Sequence, residues 1–115
     1  MPVTELELKK SLSTAISQFN AKRSQLLQEA FQSGGQDAVQ KIEQEYDTLR
    51  DAYYEILQRQ LDENHHLYTQ LISAAKTEAD ELTKSVKQLN NINEIINLAT
   101  EVINLVGRVL IVLAL

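Results

Sequence analysis

Apolar residues recur at intervals of three and four along almost the whole chain. That is the period of a helix with one face turned to a core, not the period of two that a half-buried strand requires. Leu8, Leu12, Ala15, Ile16, Phe19, Leu26, Leu27 and Ala30 form the first stripe, interrupted where Lys22 and Arg23 occupy the place of an apolar turn. Thr4 and Glu7 are spaced as a capping box, with Val3 and Leu8 at the staple positions, so a helix starts there. Ser33-Gly34-Gly35 ends it, because glycine accepts the left-handed conformation that closes a helix C-terminus. A first helix is therefore expected over residues 4–33, and Asp37 with Gln40 offers a cap for a second.

From Asp37 to Gly107 the chain contains neither Gly nor Pro, and Val39, Ile42, Tyr46, Leu49, Tyr53 and Ile56 alternate in threes and fours like the seam of a coiled coil. The pattern predicts one long helix over 37–89, antiparallel to the first across a short connection. Its seam does not stay on one face. Gln60 and Glu63 take the next seam positions, while Leu57, Leu61, Tyr68, Ile72, Ala75, Ala79, Leu82, Val86 and Leu89 mark a neighbouring stripe. Such a helix would be about 80 Å long at ~1.5 Å per residue, and helix one reaches along only about half of it. Its second half needs another cover, either the C-terminal segment or a second copy of the chain.

Residues 92–115 differ from everything before them. One apolar row, Ile92, Ile96, Ala99, Ile103, Val106, Leu110 and Leu113, continues the heptad register of Leu82 and Leu89, and a second, Ile95, Leu98, Val102, Leu105, Val109 and Val112, runs beside it. Only Asn93, Asn97, Thr100, Glu101, Asn104 and Arg108 form a polar strip. The Asn90-Asn91-Ile92-Asn93 run favours a turn, with Asn91 and Glu94 capping a new helix over 92–115 that folds back; the unbroken register supports a helix continuous with 37–89 instead. A helix apolar on most sides is a buried bundle centre or a membrane element. About 24 residues are long enough to cross a hydrocarbon core of about 30 Å, but Glu101 and Arg108 argue against a lone span.

Composition narrows the function. With 115 residues, three Gly and one Pro, the chain is one small helical domain without the turn material of an all-β fold. Its net charge is −5 and its basic residues alternate with acids, so the footprint of a nucleic-acid surface is missing. Residues 1–33 carry four bases against three acids and residues 36–91 six against eleven, a contrast that favours helix one lying on helix two. There is no cysteine. Met-Pro-Val-Thr-Glu-Leu-Glu has neither a basic nor an apolar stretch of a secretory leader, so cytoplasm is the default expectation.

Asp62-Glu63-Asn64-His65-His66 is the one cluster of metal-ligand residue types, and Glu63-x-x-His66 has the spacing of di-iron bundles. Such sites need two pairs plus two further carboxylates. A homodimer would supply the second pair, with Glu55 or Glu29 as additions, which makes a carboxylate-histidine metal enzyme the third reading. A single pair is nonetheless an incomplete ligand set, and no metal and no cofactor is expected. Tyr46, Tyr53, Tyr54 and Tyr68 are amphipathic packing residues at helical spacing. The chain is thus expected to be all-α, two to three helices in a long antiparallel, coiled-coil-like hairpin with a strongly apolar C-terminal helix, and non-enzymatic. It is expected to self-assemble, most simply as a dimer, through Ile92, Ile96, Ala99, Val102, Ile103, Val106, Val109, Leu110 and Leu113. Another helical protein is the further partner class. The alternative is a membrane-active protein that inserts its C-terminal helix.

Overall fold

A computed structural model of the chain describes residues 5–58, 66–89 and 91–114. Among them it contains four α-helices and no strand: α1 Glu5–Ala21, α2 Arg23–Leu57, α3 His66–Lys87 and α4 Ile92–Ala114. The all-helical expectation holds; the expectation of two or three helices does not.

Two breaks account for the difference. At Lys22 the helix kinks without losing its ladder: the Lys22 amide donates to the Gln18 carbonyl at 3.0 Å, and the Leu26 amide to the Lys22 carbonyl at 2.9 Å. This is where the basic pair interrupts the apolar stripe. The guanidinium of Arg23 instead lies 5.6 Å from the centre of the Tyr46 ring, with Arg50 at 5.7 Å. The second break separates α2 from α3, where one helix over 37–89 was expected. It lies between Leu57, where α2 ends, and His66, where α3 begins, the stretch over which the sequence pattern changes face. A straight rod would leave one of its two stripes uncovered; as two helices, both stripes line a single core. Residues 59–65, including Glu63, lie outside the described residues, as do Val3 and Thr4 with their expected cap and staple.

Inside α2, Gly35 takes φ 68° and ψ −152°, a conformation essentially reserved for glycine, and divides the helix into two arms. A Cβ on the neighbouring Gly34 would stand 3.0 Å from that of Ala38, a tight contact that glycine avoids. Beyond Gly35 the chain doubles back. The Phe19 and Tyr46 rings are 5.4 Å apart, and Arg23 pairs with Glu43 at 3.3 Å, so partners recede along one arm as they advance along the other.

Between α3 and α4 the left-handed residue is Leu89, at φ 50°, and not one of the described asparagines. The side chain of Asn91 caps α4 by accepting from the Asn93 amide at 2.8 Å, and its carbonyl accepts from the Ile95 amide at 3.1 Å. Only four residues separate Lys87 from Ile92, so α4 starts where α3 ends and packs back along it.

The helices form a ring in which α1 lies against α2 and α3, and α4 against α2 and α3. Each contributes its stripe to one core: Leu8, Leu12, Ala15 and Phe19 from α1; Leu26, Ile42, Leu49 and Ile56 from α2; Ile72, Ala75, Ala79, Leu82 and Val86 from α3; Ile92, Ile95, Ala99, Val102, Val106 and Val109 from α4. The bundle measures 46 × 25 × 18 Å. Helix one thus covers part of α3 as well as α2, more than its expected share.

Candidate functional site

The C-terminal helix, the expected assembly surface, is central to the bundle. Ile92, Ala99, Val102, Val106 and Val109 are buried by the chain's own α2 and α3, so these five are not available to a partner in this fold. Ile96, Ile103 and Leu110 are half-buried on one flank of that seam, with Leu98 and Val112 half-buried on the other. The Leu113 side chain lies outside the described ones. The polar strip faces water: Asn93, Asn97, Glu101, Asn104 and Arg108 are all exposed. Folding α3 back onto α4 supplies the cover that a short hairpin lacked.

One polar contact ties α4 to α2. The Thr100 hydroxyl donates to Oε2 of Glu45 at 3.0 Å, and Lys41 Nζ reaches Oε1 of the same carboxylate at 3.0 Å. Glu45 is buried at 7% exposure, beside Tyr46 and between the stripe positions Ile42 and Leu49. A carboxylate so deep is tolerated because each oxygen has a partner. Its contact with Thr100 could not be read from sequence, where the two are 55 positions apart.

Three of the apolar residues that remain exposed gather at one end of the α1–α2 pair. Among the described residues the large exposed ones are Leu6 (76%), Phe31 (60%), Tyr54 (52%), Leu57 (43%) and Ile111 (64%). Leu6 is in the first turn of α1, Tyr54 and Leu57 in the last turn of α2, and Ile111 in the last turn of α4. Because the chain doubles back at Gly35, with Phe19 against Tyr46 and Arg23 against Glu43, the first turn of α1 and the last turn of α2 lie at the same end of this pair; Phe31 sits apart from them, near the Gly35 bend. Sequence reading gave Leu6, Phe31 and Ile111 no role because they belong to no stripe; it set Leu57 on the second stripe and Tyr54 among the packing residues, and the structure leaves both exposed. For the first three, being off-stripe was itself the signal, since a large apolar residue off the buried face has nowhere to go but the surface.

A polar cavity of about 460 Å³ lies between α1 and α3, lined by Glu7, Lys10, Ser11, Thr14, Lys76, Asp80 and Thr83. Its groups are largely satisfied within the helices. Thr14 donates to the Lys10 carbonyl at 2.9 Å and Thr83 to the Ala79 carbonyl at 3.0 Å, while Lys76 pairs with Asp80 at 2.7 Å. The hydrogen bond and ion pair to Asp80 hold the Lys76 ammonium above its ordinary value, against the opposing effect of burial. Among the described residues no group of three or more His, Asp or Glu side chains comes together as a metal site.

Set against known proteins, the chain matches no family model, no curated protein and no solved structure.

Proposed function

We propose that this protein is a non-enzymatic helical interaction module, a coiled-coil-like antiparallel bundle that associates with a second copy of itself through one apolar end. The observation that carries this reading is the gathering of exposed Leu6, Tyr54 and Leu57 at one end of the α1–α2 pair, with α4's main seam already covered. A two-fold contact sets the same patch against itself and needs no other partner.

The magnitudes favour a weak complex. Burying a Leu or Ile side chain from full exposure gains roughly 1.5–3 kcal/mol. These three are 43–76% exposed, so the two copies together recover about 5–10 kcal/mol, of the same order as an association cost of about 4–15 kcal/mol. Dimer should therefore accumulate with concentration and be lost on dilution.

Sedimentation equilibrium in lipid-free buffer tests this. Leu6→Glu and Leu57→Glu should each return the mass to that of a monomer, while Phe31→Glu, at the other end, leaves it unchanged. A wild-type mass that stays monomeric to millimolar concentration, or an assembly that survives both substitutions, defeats the proposal.

A further inference from the structure

The solvation of α4 is unusual for a bundle helix. Ile92–Val112, 21 residues with a mean hydropathy of 1.8, is long and apolar enough to cross a bilayer, yet only 33% of its most apolar stretch is buried in the fold. Around the buried seam, Ile96, Leu98, Ile103, Leu110 and Val112 are packed against the core yet still partly open to water, and Ile111 is mostly exposed.

We infer that α4 is a membrane-entering helix, held in the soluble bundle by the Thr100–Glu45 contact and released into a lipid bilayer when the bundle opens. The balance lies between what α4 gains and what it loses. At 23 residues and ~1.5 Å each it is about 34 Å long, against a hydrocarbon core of about 30 Å. Its backbone is already hydrogen-bonded within the helix, so entry leaves those groups satisfied. The buried seam gives up apolar neighbours for acyl chains, which solvate it about as well. Ile111 and the exposed remainder of the flanks gain burial that the bundle does not provide, and that difference is what a membrane can use to shift the equilibrium. Opposing it is the polar side: Thr100 must leave Glu45, and Glu101 and Arg108, a heptad apart on the exposed strip, must face something other than lipid. In the bilayer that strip turns toward the strips of further α4 copies.

This inference does not rest on self-association in water, and its test uses a different readout. The full chain is mixed with phosphatidylcholine vesicles and floated on a density gradient. Because the chain has no cysteine, Ile111→Cys and Phe31→Cys each accept a single polarity-sensitive fluorophore at an exposed apolar position, one on α4 and one on α2. The expected result is co-flotation, with the emission of the Ile111 label moving to the blue and that of the Phe31 label unchanged. Thr100→Val, which frees α4 from Glu45, should raise the bound fraction several-fold. Leu12→Ala, which weakens the core on α1, should raise it less. No flotation, or an equal shift of both labels, overturns membrane entry by α4. Equal capture of the Thr100→Val and Leu12→Ala proteins overturns the Thr100 contact as its restraint. Loss of the dimer with membrane capture intact would defeat only the self-association reading.

Discussion

Replacing Thr100 by Val tests whether the polar contact between α2 and α4 matters energetically. Val has nearly the shape of Thr and a similar helix propensity, so the change removes the hydroxyl and little else. In the folded protein that hydroxyl donates to Oε2 of Glu45 at 3.0 Å, and the carboxylate is 7% exposed, with Lys41 on its other oxygen. Taking the donor from a largely buried charged acceptor costs about 1–3 kcal/mol. The added methyl, at a half-buried position, returns at most about 0.8 kcal/mol. The net expectation is a loss of about 1–2 kcal/mol. Unfolding entropy of ~2.1 cal/mol/K per residue makes 1 kcal/mol about 4 °C in Tm for a chain of this length. Urea unfolding followed by far-UV circular dichroism at pH 7 should show the midpoint falling with an unchanged slope. Adding Glu45→Met, which sets an apolar side chain of similar length against the substituted position on α4, should recover part of the loss, because replacing both partners avoids stranding one of them. If Thr100→Val lies within ~0.3 kcal/mol of the parent and the double-mutant cycle shows no coupling, the contact carries no weight and the reasoning about it is wrong.

Two further changes probe other parts of the fold. Gly35→Ala forces a Cβ onto a residue at φ 68° and ψ −152°, where no neighbouring atom crowds it but the backbone itself resists, so stability should drop by about 1–3 kcal/mol with the helices otherwise intact; an unchanged urea midpoint would show that the bend does not depend on glycine. The Lys76 pair with Asp80 makes a pH prediction: the folded-state value of Lys76 is raised above 10.5, so its contribution is fully present below that pH and is lost only as pH climbs through the raised value. The stability difference between the parent and Lys76→Gln, measured by urea midpoints, should therefore be constant from about pH 6 to 9 and shrink above pH 10.5; a difference that already shrinks below about pH 9 contradicts the assignment.

Local periodicity was enough to identify an all-helical chain, the α1 stripe from Leu8 to Phe19, the Gly34-Gly35 bend and a strongly apolar helix after Asn91. These are properties of nearest neighbours on one helix and of residues with special backbone freedom, so they are written into spacing alone. The same pattern suggested one rod over 37–89, because a heptad seam that drifts to a new face looks, residue by residue, like a continuing helix. Only packing decides that the drift is a break: both stripes reach one core when α3 turns back. Packing also decided the turn at Leu89, where a half-buried leucine adopts φ 50°. The largest revision concerns α4. Its sequence records how much apolar surface it carries, but not which helices cover it. Burial depends on where α2 and α3 lie in space, so only the tertiary structure could place Val102, Val106 and Val109 inside the chain's own core and leave Leu6, Leu57 and Ile111 facing water.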